Sequence, residues 1–377
     1  MKTVVSCVLA VAGLACCASA APTLTALSSF GVNGWRAPNA IQTGDSAGSN
    51  NGTNYNYLGT GSLERGLAYN PVTGNLILVS RSTAGNGIRI LSGTTGDDLG
   101  ALNQGTGIIT GGTFTTNKVG VSADGQIFVA NLQTNTNTGA LKIYRWANES
   151  SGIDATPWFN STIAVGGTPR MGDSMDTIGS GSNIKHVFGH AGVVGYSIVT
   201  ASGATAVSSF SAPAPGAGRF RLGVTFAQDD SNVWGKETSQ ALHQTSYSGS
   251  TGTGISNSTP MTSAGEAPID FVTIGGVNYL AGIDVNNSRV YIYDVSNPLA
   301  PTSIFVFGLT TTSGTLTGNG NATGDIRWGA VDNVNLSATL YAMSTNQGIQ
   351  AFTFTVPTPG TLGLAGLGSL LAARRRR

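Results

Sequence analysis

Short runs of apolar and β-branched residues alternate with Gly-, Asn- and Asp-rich turns along most of this chain, and the alternation repeats. Glu64-Arg65-Gly66-Leu67-Ala68-Tyr69 leads through the turn at residues 70–75 into the apolar run 76–79. A second copy is Lys118-Val119-Gly120-Val121-Ser122, the Asp124-Gly125 turn, then Ile127-Phe128-Val129-Ala130. Further starts come at Arg170-Met171-Gly172, Arg221-Leu222-Gly223, Pro268-Ile269-Asp270-Phe271 and Arg327-Trp328-Gly329. The starts fall about 52 residues apart, a period expected of propeller blades or repeat arrays.

Each unit reads as four strands. In the first they are residues 66–69, 76–81, 87–91 and 98–102; in the fifth, 271–273, 279–283, 289–294 and 303–307. Four-stranded units stacked radially make a β-propeller, which leaves only short protected edges. The sixth unit has three strands, 327–331, 339–343 and 349–355, and the missing one is available in residues 23–32. The expected fold is therefore an all-β, six-bladed β-propeller whose N-terminal strand closes the last blade. Residues 33–62, rich in Asn, Gly and Ser, read as a long loop or a top-face excursion. A parallel β-helix fits less well, because its coils would not produce such tight hairpin turns.

The two ends concern address rather than fold. Lys2, the apolar residues 4–15 and Ala18-Ser19-Ala20 have the layout of a secretory signal, with cleavage after Ala20. Cys7, Cys16 and Cys17 all lie inside it, so the processed chain would have no disulfide and no thiolate metal ligand. At the other end, Pro357-Thr358-Pro359 precedes an uncharged run over 360–373 and four arginines. As a helix those 14 residues reach about 21 Å, short of the ~30 Å hydrocarbon core. The arginines would stay on the cytoplasmic side. This layout resembles the bacterial PEP-CTERM sorting tail, with Thr358 where that family usually has Glu. The resemblance implies an exported protein, anchored transiently by an apolar sorting helix and processed by the sorting machinery of the inner membrane. The expected organisation is a signal peptide (1–20), a propeller (21–356) and a sorting tail (357–377).

Processing changes the charge. Without Lys2 and the terminal arginines, 14 basic residues face 18 acidic ones, so the formal +1 becomes −4. With 10% charged residues and no basic cluster in the body, a nucleic-acid partner is not expected. The segments 65–81 and 119–131, with Tyr144-Arg145-Trp146 and Gly172-Asp173-Ser174, resemble an uncharacterised family of secreted bacterial propellers, most closely over about residues 63–200. That family implies fold and address, and no activity.

Candidate chemistry is sparse, and no motif calls for a cofactor. Gly44-Asp45-Ser46-Ala47-Gly48 matches a nucleophile pattern, but no strand-to-helix elbow surrounds it. His186 and His190 have a helical zinc spacing inside a segment that reads as strand, where residues four apart lie about 13 Å from each other. A turn at Gly189, with Asp173 or Asp176 as further ligands, would be needed to bring them together. Asp97-Asp98 and Asp229-Asp230 lack the alternating ligands of a calcium loop and read as turn residues.

The repeat supplies the leading candidate. Lys118, Arg170, Arg221 and Arg327 each stand two residues before the Gly of an inner strand, and Arg65 is shifted by one. Cations converging at one channel mouth would hold an anionic ligand such as a uronate or sulfated glycan, unless each merely pairs with an acid such as Glu64, Asp173 or Asp325. The expected function is a non-enzymatic binding or scaffold module, with extracellular polysaccharide as the partner. The alternative is a polysaccharide lyase or hydrolase using the channel mouth, with an Arg neutralising a substrate carboxylate and a Tyr or His as base; a pocket that brings His186 or His190 next to those arginines would favour it.

Overall fold

The computed structural model describes residues 21–38, 55, 57–82, 87–258, 265–285, 289–308 and 323–357. Six antiparallel blades account for nearly all of them. Blade 1 is β3 (Glu64–Tyr69), β4 (Asn75–Ser80), β5 (Ile88–Ser92) and β6 (Asp98–Ala101); blade 2 is β7 (Phe114–Val121), β8 (Ile127–Leu132), β9 (Leu141–Trp146) and β10 (Thr156–Ser161). Blade 3 is β11 (Asp176–Ile178), β12 (Lys185–Gly189), β13 (Tyr196–Thr200) and β14 (Gly203–Val207). Blade 4 is β16 (Gly223–Phe226), β17 (Asn232–Lys236), β18 (Leu242–Ser248) and β19 (Thr251–Ser258), extended by β15 (Ser209–Ser211), which runs parallel to β19. Blade 5 is β20 (Glu266–Ile274), β21 (Val277–Asp284), β22 (Arg289–Asp294) and β23 (Thr302–Gly308).

Blade 6 combines the two ends of the propeller: β24 (Gly324–Asp332), β25 (Ser337–Ser344) and β26 (Ile349–Thr355) are joined by β1 (Thr23–Ala26). Leu24 pairs with Phe354 and is itself buried in the interface between blades 5 and 6. The N-terminal strand thus closes the ring, as the three-strand sixth repeat requires. Among the described residues the only helical element is a 3-10 turn at Gly181–Asn183. The sorting helix expected over the apolar tail, with the signal segment and Thr358 and Pro359, lies outside the described residues.

The core is divided among the six interfaces between blades. Each of the six apolar clusters joins one blade to the next around the ring. This explains why the middle strands read as unbroken apolar runs. On β4, Leu76 and Leu78 face blade 6 while Ile77 and Val79 face blade 2, so period-2 alternation buries both faces.

Glycines set how closely the inner strands approach. A Cβ on Gly66 would stand 2.9 Å from the Val119 amide nitrogen of β7, and one on Gly223 would collide with the Ala267 carbonyl of β20. At Gly66, Gly120 and Gly223 the recurring Gly is therefore a contact requirement between successive blades, whereas Gly329 makes room for Thr339 and Tyr341 of its own blade.

The described residues of the segment 33–62 are more integrated than its composition suggests. β2 (Trp35–Arg36) pairs with β26, and the Trp35 indole donates to the Gln347 carbonyl at 2.9 Å. Tyr55, Tyr57 and Leu58 enter the cluster between blades 6 and 1, and the Arg36 guanidinium lies 4.5 Å from the Tyr55 ring centre. Isolated aromatic residues in an Asn/Gly background carry no periodic signal, which is why these anchors read as loop.

Candidate functional site

The inner strands β3, β7, β11, β16, β20 and β24 pack successively around a central channel. They bring the repeat cations together in two separate layers rather than at one mouth. Arg170 and Arg221 stand where the inner strands begin; Lys118 and Arg327 are buried deeper.

Arg327 is the plug of the channel. From blade 6 it donates to the Leu67 carbonyl of blade 1 and, across the ring, to the Met175 carbonyl leading into blade 3, each at 2.8 Å. Its guanidinium also lies 3.3 Å from Asp325, 3.4 Å from Asp176 and 3.5 Å from Asp270. Burial alone would favour the uncharged form, but those carboxylates raise its pKa above that of a free arginine. Lys118 donates to the Gly324 carbonyl at 2.9 Å and to Asp325 at 3.3 Å. These two cations are thus spoken for by acids, and the expectation that they converge with the others on an external anion is corrected here: they tie blades together.

The same carboxylates have a second structural task. Asp325 accepts the Leu67 amide at 3.1 Å, Asp270 the Trp328 amide at 2.7 Å and Asp176 the Phe226 amide at 2.8 Å. Each joins its own inner strand to that of the following blade. Burial, opposed by Arg327 and aided by the neighbouring Asp176, raises the Asp270 pKa to about 7.

At the N-terminal mouth the arrangement differs. Arg170 grips Asp173 through two bonds of 2.6 Å, and Arg221 reaches the same carboxylate at 3.3 Å. Arg65 donates to the Glu64 and Ser62 carbonyls, both at 2.7 Å, and also feels Asp173. Arg81, which the repeat pattern does not single out, bonds Asn117, whose amide in turn donates to the Gly172 carbonyl. Its guanidinium stands 3.3 Å from the centre of the Phe114 ring. Burial first, then Arg65, and Arg170 to a lesser degree, lower the Arg81 pKa to about 9, with Asp173 opposing. Four guanidinium groups thus gather near Asp173, and the Arg170 and Arg221 side chains remain 35% and 39% exposed.

The histidines go elsewhere. His186, His190 and His243 are all buried, and none lines the channel cavity. His186 sits between Phe128 and Trp158, ring centres 4.6 and 4.7 Å away, with Nδ1 2.8 Å from the Thr177 hydroxyl. His190 contacts the Ser197 hydroxyl at 2.9 Å and the Val194 carbonyl at 3.2 Å. Burial lowers their pKa values, to about 3 for His186 and about 4 for His190 and His243. His186 and His190 are thus not brought next to the mouth arginines. His186 and His190 lie on or beside the extended β12, so the zinc spacing does not converge, and no metal-holding group occurs among the described residues. Asp229 accepts the Ser231 and Asn232 amides as a turn residue; Asp97 and Asp98 pair with Arg36 and Arg89. The motif at residues 44–48 lies outside the described residues.

Comparison with known proteins supports this architecture. Residues 32–214 match the model of DUF4623, a domain of unknown function. A DUF4623 family protein from Bacteroides eggerthii, known from its crystal structure, is similar with a TM-score of 0.61 at 16% identity, over 86% of this chain and 77% of that one. At that identity the likeness speaks for the fold alone. The Malassezia sympodialis allergen Mala s 1 (TM-score 0.49, 12% identity, 77% of this chain and 91% of that one) is more distant. So is a gluconolactonase from Xanthomonas campestris (0.44, 12%, 78% and 86%). No curated protein matches the chain.

Proposed function

We propose that this propeller is an exported, non-enzymatic binding module of the cell envelope, and that its N-terminal mouth takes anionic groups of an extracellular polysaccharide. The observation that carries the reading is the gathering of Arg65, Arg81, Arg170 and Arg221 around Asp173, with Arg170 and Arg221 still open to solvent. A guanidinium fork matches a carboxylate or sulfate in two parallel hydrogen bonds. Each such contact at a wet mouth is weak, so affinity would come from a polymer engaging several sites at once. Export and transient anchoring rest on the signal-like residues 1–20 and the PEP-CTERM-like tail.

The test uses the folded chain against immobilised polygalacturonate, a sulfated glycan and neutral dextran. Binding to the acidic polymers, weakened at least tenfold by Arg170→Ala with Arg221→Ala and by raised salt, is expected. Equal retention on dextran, or binding untouched by the double substitution, would overturn the reading. Cell fractionation with terminal sequencing checks the address, the expected mature start being Ala21.

A further inference from the structure

Beyond the Arg327 plug, at the end where the inner strands finish, the channel becomes a separate cavity of about 250 Å³ lined by all six inner strands. It opens into a wider funnel of about 570 Å³. The floor is polar, formed by Asp176, Asp270, Thr225 and Arg327, whereas Tyr69, Phe271 and Trp328 contribute to the wall of both compartments or their junction.

The floor holds more acid than base. Three carboxylates, Asp176, Asp270 and Asp325, face two cations, Lys118 and Arg327. Asp325 takes the nearer contacts, 3.3 Å to each cation. Asp176 and Asp270 share a single Arg327 nitrogen at 3.4 and 3.5 Å, while the best hydrogen bonds of that guanidinium go to backbone carbonyls. A carboxylate has about four acceptor positions. Each of these two uses one for a backbone amide, and both approach the Thr225 hydroxyl, at 3.0 and 3.5 Å. Acceptor capacity is left over beside an apolar wall, which is the setting that suits an N–H donor carried on a hydrocarbon body.

We propose that this cavity is a second binding site, distinct from the arginine mouth, and that its ligand is a small organic cation, an ammonium group on an apolar body. The ammonium bridges Asp176 and Asp270; the body rests against Phe271 and Tyr69. A neutral alcohol would leave the surplus charge unmet, and a bare metal ion would leave the apolar wall wet.

The site carries its own pH signature. Asp270 is faced by Arg327 and Asp325 from β24 and by Asp176 from β11, with Thr225 of β16 beside it and Lys118 of β7 behind Asp325. Below about pH 7 Asp270 holds its proton, the floor is balanced and an incoming cation must displace that proton; above it the second carboxylate is already ionised and available. With a competent fraction set by that titration, apparent affinity rises about tenfold from pH 6 to pH 8.

The experiment is calorimetric titration of the folded chain with n-butylammonium, n-butanol and calcium chloride at pH 6 and pH 8, in two buffers of different ionisation heat. Saturable butylammonium binding, about tenfold tighter at pH 8, with proton release at pH 6 and little at pH 8, and with butanol inert, is expected. Asp270→Asn should remove both the pH dependence and most of the affinity. Because the pH signature is read on the unsubstituted protein, a poorly folding variant does not blur the result. Absence of saturable binding, equal binding of butanol, pH-independent butylammonium binding, or calcium displacing butylammonium would each overturn the proposal.

Discussion

Replacing Arg327 by Met tests whether the channel plug is a structural bolt. The substitution keeps an unbranched side chain of similar reach and removes the charge and every donor. Two buried carbonyls, Leu67 and Met175, lose partners at 2.8 Å, each costing about 1–3 kcal/mol. Three carboxylates are left with Lys118 as their cation, and breaking a buried pair by removing one partner costs about 3–5 kcal/mol. The terms do not add, because Asp270 relieves the loss by taking up a proton. The net expectation is about 3–5 kcal/mol at pH 8, or roughly 2 °C in Tm for each kcal/mol in a chain of this size. At pH 5 Asp270 is protonated with or without Arg327, so the loss should be smaller. Urea denaturation at the two pH values, followed by both fluorescence and circular dichroism, measures it. Adding Asp270→Asn should recover part of the pH 8 deficit. A deficit below about 1 kcal/mol, or one equal at both pH values, refutes the reasoning.

Other expectations follow from single contacts. Gly223→Ala drives a methyl into the Ala267 carbonyl between blades 4 and 5 and should cost about 1–3 kcal/mol by chemical denaturation, since neither strand has room to retreat. The three buried histidines have folded pKa values below the unfolded 6.5, so their stabilising contribution is complete above that value and is lost as pH falls towards about 4; His186→Phe should shallow the loss between pH 6.5 and 4 in Tm-against-pH scans. Asp270 works in the opposite sense, its folded pKa being raised above the unfolded 3.8, so its contribution falls as pH rises from about 4 to 7; Asp270→Asn should remove that decline. Leu24→Asp places a charge in the interface between blades 5 and 6, opposite Phe354; about 3 kcal/mol should be lost, and limited proteolysis should first cut near residue 26.

The architecture was legible because its determinants are local and repeated. Each blade announces itself through an apolar run followed by a turn, and the first-blade strands at 66–69, 76–81, 87–91 and 98–102 agree with the observed ones within about two residues. The cation-x-Gly spacing was also visible, but not its meaning. A strand pattern fixes which residues share a face; it does not say how far along the channel each one sits, and that depth is what separates Arg170 and Arg221 at the mouth from Lys118 and Arg327 in the plug. Arg81 was invisible for another reason: it follows β4 rather than opening an inner strand, and reaches the mouth only because Asn117 of the next blade holds it there. Asp176, Asp270 and Asp325 occupy unequal places in their repeats, so their convergence needed the closed ring.

That convergence constrains how function at the channel can be probed. Asp176, Asp270 and Asp325 each spend one oxygen on an amide of the following blade, which substitutes for the hydrogen bond that successive inner strands in separate sheets do not make. Truncation to Ala would orphan that amide and remove the charge together, so a loss of binding would be indistinguishable from loosening of the ring. Asn keeps an acceptor for the amide and removes only the charge, and it is the substitution that separates the two roles. If Asp176→Asn and Asp270→Asn do not lower the melting transition while changing what the cavity accepts, the carboxylates act on a ligand. If both lower stability as Arg327→Met does, their charge belongs to the plug, and the cavity beyond it is only the space that the plug leaves.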